Sequence, residues 1–127
     1  MDETKCLFCE LANGSEPLLI NERGFIAAYD SFPVNKGHVL ICSRRHVENI
    51  FDLSSLEFMD LHYAIHYVKN ILDDRFKPDG YNVGANCGEA AGQTIMHFHL
   101  HIIPRYKGDV EKPRGGVRNI KPAIVPY

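Results

Sequence analysis

The sequence lacks the features that mark several large classes of protein. No run approaches the roughly 18 consecutive apolar residues that a membrane-spanning helix needs. Its first residues do not show the charged-then-apolar pattern of a secretory signal, so we expect a cytoplasmic protein. The 14 basic residues do not outnumber the 16 acidic ones, and a formal charge of −2 argues against a dedicated binder of DNA or RNA. These absences favour a globular protein that works in water and has neither a membrane nor a nucleic acid as its partner.

Cysteine is also scarce, and the chain is short. Four cysteines in 127 residues are too few for a scaffold held by disulfides, so they are better interpreted as thiols or metal ligands. An apolar content of 45% is typical of a protein with a proper core, and a chain of this length forms one domain without covalent crosslinks.

The pattern of apolar residues predicts an α+β fold. The predicted elements are a short helix at 7–12, strands at 18–20, 25–29 and 37–42, a long helix at 54–76, and strands at 81–85 and 95–103. Ser54 and Glu57 form an S-x-x-E capping box at the start of the long helix. Its apolar stripe consists of Phe58, Leu61, Ile65, Val68 and Leu72, at spacings of three and four.

The end of the chain differs in composition from the rest. Residues 105–127 carry six basic and two acidic residues, together with three prolines and the pair Gly115-Gly116. We therefore divide the chain into a domain at 1–104 and an irregular basic tail at 105–127. Two interpretations of the tail remain open, a solvated segment and an anion-binding one.

The strongest motif is a row of alternating histidines. His97, His99 and His101 share one face of the predicted strand, because successive side chains of a strand point to opposite faces. The other face carries the apolar side chains of Phe98, Leu100 and Ile102. Imidazole acts near neutral pH as a nucleophile, an acid–base group and a metal ligand, so this face predicts a functional site.

At this motif the chain resembles a known family. The segment His97-Phe98-His99-Leu100-His101-Ile102-Ile103 is similar to the H-φ-H-φ-H-φ-φ motif of histidine triad (HIT) nucleotide hydrolases and transferases. Further matches are Cys6-Leu7-Phe8-Cys9, Asp30-Ser31-Phe32-Pro33-Val34-Asn35, Gly37-His38-Val39-Leu40, Arg44-Arg45-His46 and Gly92-Gln93-Thr94. Lys36 stands where many relatives have proline. The resemblance extends over residues 6–109 and implies an antiparallel sheet of about five strands, one long helix, a short N-terminal helix and a homodimer.

The resemblance also implies roles for the histidines. His99 would attack the α-phosphorus of a bound nucleotide and form a nucleotidyl-histidine that water then cleaves. His101 would contact the α-phosphate and help to protonate the leaving group. His97 would support the nucleophile, and His38 is a candidate hydrogen-bond partner of the triad.

Other positions match the substrate-binding residues of the family. Asp30 corresponds to a residue that accepts hydrogen bonds from ribose hydroxyls, Gln93 and Thr94 correspond to phosphate-loop residues, and Asn86 corresponds to a contact on the phosphate or ribose side. Small residues in the loop before the histidines allow backbone N–H groups to approach an anion. The positions that would line the nucleobase pocket, although each is also a plausible core residue, are Leu7, Phe8, Leu11 and Tyr29.

Cys6 and Cys9 have the spacing of a zinc half-site. The spacing alone leaves three interpretations open: a metal site, a redox pair and two buried thiols. The redox interpretation needs a βαβ context, which the predicted elements do not provide. Relatives that bind zinc through such a pair imply that His46 and His97 complete the site. Four protein ligands would make this zinc structural.

His62 and His66 lie at positions i and i+4 of the long helix, a spacing that can bind metal. Tyr63 occupies the position where a zinc protease has its catalytic glutamate, so we interpret the pair as a solvated helix face or a dimer contact.

The resemblance leads to one main hypothesis and three alternatives. The main hypothesis is a hydrolase that releases AMP from substrates such as diadenosine polyphosphates, because Pro104–Asp109 is similar to the dinucleoside-polyphosphate branch of the family. The alternatives are an adenosine phosphoramidase that cleaves a P–N bond, a non-catalytic nucleotide sensor, and a structural protein in which all the histidines bind zinc.

Overall fold

The computed structural model describes residues 6–122 and 125–126, and over these residues it confirms the α+β fold. The helices are α1 (Leu7–Asn13) and α2 (Ser55–Phe76), and the strands are β1 (Ile20–Glu22), β2 (Phe25–Tyr29), β3 (Val39–Ser43), β4 (Gly80–Gly84) and β5 (His99–Arg105). Short 3₁₀ turns lie at Ile50–Asp52, Glu89–Ala91 and Gly116–Arg118. Neither helix of the described part is long and apolar enough to cross a membrane.

The strands form one antiparallel sheet in the order β1-β2-β3-β5-β4. Strand β5 is therefore paired on both sides, with Cys42 of β3 opposite His99 and Leu40 opposite His101. On its other side, Gly84 of β4 lies opposite His101. The ladder on both sides holds the backbone of the histidine strand rigidly, which a site with demanding geometry requires.

Helix α2 begins at the predicted capping box. The Ser54 hydroxyl accepts a hydrogen bond from the Glu57 N–H at 3.1 Å, and the Ser54 N–H donates to Glu57 Oε1 at 2.8 Å. The side chains that α2 buries are Leu61, Ala64, Val68 and Leu72. Phe58 is 46% exposed, contrary to the predicted stripe. It stands about 60° around the helix from Leu61, because each residue of an α-helix turns by roughly 100°.

The sheet has different layers on its two faces. Helix α2 packs against one face, where Leu100 and Ile102 belong to the main core. Helix α1 packs against the other face, where Phe8 joins a smaller cluster with Ile26 and Cys42. Because side chains alternate along β5, His99 and His101 point to the face that carries α1. The candidate site therefore lies on the face opposite the long helix.

Strand β5 begins four residues later than predicted. His97 lies in a bend before the strand, where the next residue, Phe98, donates its N–H to the carbonyl of Val47 at 2.7 Å. Beyond Ile102, where its pairing with β3 ends, β5 continues through Pro104 paired with β4 alone. The Pro104 carbonyl points to the β3 side, where it accepts from the Asn35 side chain, and the N–H that proline lacks would point the same way, where β3 no longer pairs with β5.

Candidate active site

A hydrogen bond to the backbone selects one tautomer of the His99 ring. Its Nδ1 lies 2.9 Å from the carbonyl oxygen of His97, so Nδ1 carries the proton and donates it to that oxygen. The lone pair of a neutral ring is then on Nε2. The ring is only 8% exposed, and the Phe8 ring lies 4.8 Å from it. A positioned imidazole with a free lone pair is suited to nucleophilic attack.

His101 has the opposite arrangement of its proton. The N–H of Val34 donates to Nδ1 of His38 at 3.0 Å, so a neutral His38 carries its proton on Nε2. That nitrogen lies 2.9 Å from Nδ1 of His101 and donates to it, which leaves the His101 proton on Nε2. Two histidines with ring centroids 5.4 Å apart thus present an electron pair at one Nε2 and a proton at the other.

Asp30 lies beside this pair of rings. Its Oδ2 is 3.4 Å from Nε2 of His38, and its Oδ1 accepts a hydrogen bond from the Phe32 N–H. Burial lowers the pKa of His38 and of His101, and the negative charge of Asp30 offsets only part of this shift. Nearby His99 and His38 also lower the pKa of His101. Both rings are therefore neutral at neutral pH, as the hydrogen bonds between them require.

A second cluster joins α1 to the residue just before β5. The ligand atoms of Cys6, Cys9, His46 and His97 all lie within 4.8 Å of one another. Nδ1 of His97 is 3.2 Å from Cys6 Sγ and 3.1 Å from Nδ1 of His46, which in turn lies 3.2 Å from Cys9 Sγ. On the other side of the ring, His97 Nε2 donates to the carbonyl of Ser43 at 2.6 Å.

The donor set of this cluster fits a tetrahedral zinc ion. Bond lengths of about 2.3 Å to sulfur and about 2.0–2.1 Å to nitrogen place the ligand atoms of a tetrahedron about 3.3–3.8 Å apart. The separations of 3.1–3.5 Å between neighbouring ligand atoms of the cluster are close to this range. The bond from His97 Nε2 to Ser43 also leaves the lone pair of Nδ1 facing the cluster, as in metal sites whose outer hydrogen bonds select the ligand nitrogen.

Comparison with known proteins decides the family. Residues 14–108 match the family model described as HIT domain. The chain belongs to the HIT family.

Relatives of this HIT protein include named enzymes and solved structures. It is 36% identical over 107 residues to the protein hit of Bacillus subtilis, a match covering 82% of this chain and 74% of the relative. It is 39% identical over 101 residues to a bis(5'-adenosyl)-triphosphatase of Dictyostelium discoideum, covering 80% and 67%. A crystal structure of a zinc-bound histidine triad family protein from Mycobacterium smegmatis matches with a TM-score of 0.75 and 27% identity, covering 85% of this chain and 80% of that one.

The loop before the triad of this HIT protein is braced by Gln93. Its Oε1 accepts from the Gly88 N–H at 2.8 Å, and its Nε2 donates to the carbonyls of Glu48 at 2.7 Å and Ile95 at 3.1 Å. Its side chain is buried with both N–H groups used, so it shapes the loop from inside. Thr94 and Asn86, by contrast, are exposed.

The four residues matched to a nucleobase pocket are not brought together. Phe8 is buried against His99, and Leu11 packs against the small core cluster that contains Phe8. Leu7 is 56% exposed. Tyr29 lies on the opposite face of the sheet, where its hydroxyl accepts a hydrogen bond from Arg75 of α2 at 2.8 Å. Side chains alternate between the two faces along β2. The residue before Tyr29 points to the site face, so Tyr29 points to the opposite face.

The site also contains groups that the sequence does not single out. The N–H of Val34 and the carbonyls of Ser43 and His97 set the proton positions of three histidines. Such main-chain groups occur at every residue, so no residue type marks them. His38 does bond to the triad as expected, while His62 and His66 lie exposed on α2 with ring centroids 4.5 Å apart.

Proposed function

We propose that this HIT protein is a nucleotide phosphohydrolase that cleaves adenosine nucleotides at the α-phosphate, with diadenosine polyphosphates as its substrate class. The observation that carries the proposal is the pair of opposite tautomers at His99 and His101. In-line displacement at phosphorus needs a nucleophile and a nearby proton donor, and the two Nε2 atoms supply them. The relationship to a bis(5'-adenosyl)-triphosphatase supports the choice of substrate.

The proposed reaction has two steps. Nε2 of His99 forms a bond to the α-phosphorus while the bond from phosphorus to the leaving oxygen breaks, and Nε2–H of His101 donates to the departing group. Charge on the modified His99 ring is stabilised by the His97 carbonyl, which accepts from Nδ1–H. The departing group leaves as a polyphosphate anion that keeps the hydrogen bond from His101. Water then attacks phosphorus, the N–P bond breaks and returns its electron pair to Nε2 of His99, and AMP leaves while the proton lost by water passes to solvent.

We assign the bound nucleotide to the site face of the sheet. The base would contact three side chains of α1, namely Leu7, Phe8 and Leu11. Asp30 lies next to His38 and would accept from the ribose. Thr94 and Asn86 would contact phosphate, within a loop shaped by Gln93. Tyr29 has no part in this assignment, because α2 covers its side of the sheet.

We further propose that the cluster of Cys6, Cys9, His46 and His97 holds a structural zinc ion. Four protein ligands leave no open position for substrate, so the ion would supply rigidity and no chemistry. It would join α1, which carries Phe8, to the residue whose carbonyl positions His99.

The partner we propose for the assembled protein is a second copy of the chain. Strand β4 is an edge of the sheet, and its outer backbone groups have no neighbouring strand within the described residues. One flank of α2 lies toward this edge, because the ammonium group of its Lys69 is 5.8 Å from the Tyr81 ring of β4. The same flank contains Phe58, His62 and Ile65. This apolar flank and the open edge together suit an antiparallel pairing of two copies.

The substitution His99→Gln tests the proposed reaction. We expect AMP release from diadenosine triphosphate to fall at least about 1,000-fold, since covalent catalysis loses its nucleophile, while the dissociation constant of AMP changes less than about threefold. Mass spectrometry of the parent protein quenched during turnover should find an adenylyl group on His99. The matched control is His62→Gln, which changes an exposed histidine and should leave turnover unchanged.

Two outcomes would contradict the proposal. Turnover retained by the His99 variant, or an adenylyl group on another residue, would exclude this nucleophile. Faster cleavage of an AMP-amine than of diadenosine triphosphate by the parent would instead assign the protein as a phosphoramidase with the same nucleophile.

A further inference from the structure

A cleft of about 340 Å³ lies beyond His101, on the side away from α1. Ile103 of β5 and Gly84 of β4 form its floor, and His38 and His101 form one end. Val34 forms one wall, and the other is formed by Val117 and Ile120 from the segment after β5. The volume is within the range of small-molecule sites. The basic C-terminal segment is thus part of the wall of a cavity that begins at the proposed proton donor.

The segment that forms this wall is fixed to the domain by a network centred on Asp109. Its carboxylate accepts from Nε and Nη2 of Arg105, both at 2.8 Å, and from the Asn35 side chain at 2.8 Å. These partners, Arg105 first, hold the pKa of Asp109 well below its usual range. Farther along, Gly116 lies so close to Asn82 of β4 that a Cβ there would approach its amide nitrogen to 3.3 Å. The wall therefore has a defined position relative to His101.

The cleft is lined by apolar side chains that are exposed. Val34 is 68% exposed, Val117 63% and Ile120 82%. Apolar side chains grouped around a concave surface, with a few polar groups among them, are typical of a ligand site. The polar groups here are the amides of Asn82 and Asn86 and the ring of His101. This combination suits a flat ring with polar edges.

The geometry points to this cleft as the subsite for the leaving nucleoside of a dinucleoside polyphosphate, with Val117 and Ile120 as residues that determine leaving-group specificity. The inference rests on the proposed function. The retained nucleoside is assigned to the side of His99 that Phe8 covers. His101 lies on the other side and donates toward the departing group, so the part of the substrate that leaves extends over His101 into the cleft. Basic residues of the same segment, such as Lys112 and Lys121, favour the negative charge of the phosphate chain.

The test compares two non-hydrolysable ligands that differ only in the second nucleoside. These are the methylene-bridged analogues of diadenosine triphosphate and of ATP, and the quantity measured is the ratio of their dissociation constants by calorimetry. The double variant Val117→Ser with Ile120→Ser removes the apolar wall. We expect its preference for the diadenosine analogue to fall about tenfold, as expected when two partly covered apolar side chains are lost, with affinity for the ATP analogue changed less than twofold. The control is Val125→Ser, an apolar residue of the same segment that is 55% exposed and does not line the cleft.

Each result has a defined meaning. An unchanged ratio in the double variant overturns the subsite, and so does an equal loss of affinity for both analogues, which would place the retained nucleoside in the cleft. Because the readout is binding, a parent protein that discriminates the analogues but does not hydrolyse diadenosine triphosphate would refute the proposed function and leave the subsite standing. A parent that binds neither analogue overturns both. Both replaced side chains are exposed, and an unchanged melting temperature checks that the double variant folds.

Discussion

The chemical difference between His99 and His101 arises from their hydrogen-bond partners, since the two residues are identical and lie on the same face of β5. A carbonyl oxygen draws the proton of His99 to Nδ1, while His38 draws the proton of His101 to Nε2. His38 can do this only because the Val34 N–H occupies its own Nδ1. A short chain of hydrogen bonds thus assigns one ring as the electron-pair donor and the other as the proton donor.

His38→Phe should therefore reduce catalysis more than binding. Without the donor at His38 Nε2, the Nε2–H of His101 is no longer directed toward the leaving group, and we expect kcat for the phenyl ester of AMP, whose leaving oxygen is strongly basic, to fall about 10- to 100-fold. The 4-nitrophenyl ester of AMP releases a weakly basic group that needs no proton, so its turnover should fall less than about threefold. His66→Phe on α2 is the control. Equal losses for both substrates would show that His38 only supports the structure.

Acid should destabilise the protein through the same two rings. Burial lowers the pKa of His38 and of His101 below the ordinary histidine value of about 6.5 in the folded state, so below that pH the unfolded chain binds protons more readily. Their contribution to stability is complete above about pH 7 and decreases as the pH falls through 6.5. Melting temperatures from pH 8 to 5 should fall less steeply in His38→Gln than in the parent. Parallel curves would contradict this assignment.

The sequence was sufficient to place the two candidate histidines on one face of the sheet but not to predict their tautomers. His99 and His101 are two residues apart, and residues two apart in a strand point to the same face. The tautomers depend on which carbonyl or N–H lies within 3 Å, and this depends on the path of the backbone through residues far apart in the chain. Tyr29 shows the same limit, because its face depends on the register of a strand only five residues long.

At the level of secondary-structure elements, the position of α1 depends on the cluster of two cysteines and two histidines. The helix has seven residues and buries only Phe8 and Ala12, so neither its length nor its core contacts would hold it firmly. Cys6 and Cys9 connect both sides of its first turn to His97 and His46. The sequence predicted this short helix and the long α2, whose capping box and apolar periodicity are local signals. It did not predict the bend at His97, which depends on a hydrogen bond from Phe98 to distant Val47.

Cys9→Ser tests the proposed zinc site. We expect the parent to contain about one zinc ion per chain by elemental analysis, and the variant to contain almost none, with its unfolding free energy lowered by several kcal/mol because metal binding is coupled to folding. The control is Cys87→Ser, a partly buried cysteine outside the cluster. A zinc-free parent, or a variant with an unchanged melting temperature, would refute the site.

At the level of the whole molecule, the two faces of the sheet carry different sets of residues. Helix α2 covers one face with the main core, and the other face holds α1, the histidines and the C-terminal wall. Strand β4 is an edge of the sheet, and Phe58 is exposed on the flank of α2 whose Lys69 lies near Tyr81 of β4. An open strand edge and an exposed phenylalanine are both natural contacts for a second copy.

Phe58→Glu should convert the proposed dimer into a monomer. A carboxylate on this flank would have to be buried without a partner when two copies meet, at a cost of several kcal/mol. Light scattering coupled to size-exclusion chromatography should report twice the mass of 14.4 kDa for the parent and the single mass for the variant. The control is Tyr67→Glu, which changes a residue that is 39% exposed on the flank nearer β1. A monomeric parent would refute the dimer.

The oxygen that fixes the proton of His99 belongs to a peptide group, and this has a consequence for genetics. Every amino acid at position 97 presents the same carbonyl, so no point substitution deletes that acceptor. A complete mutational scan would report the effect of losing the imidazole of residue 97 and would miss the contact of its carbonyl with His99. Replacing the amide that follows residue 97 by an ester weakens this carbonyl as an acceptor and also removes the Phe98 N–H that donates to Val47, so this chemical change weakens both hydrogen bonds at once.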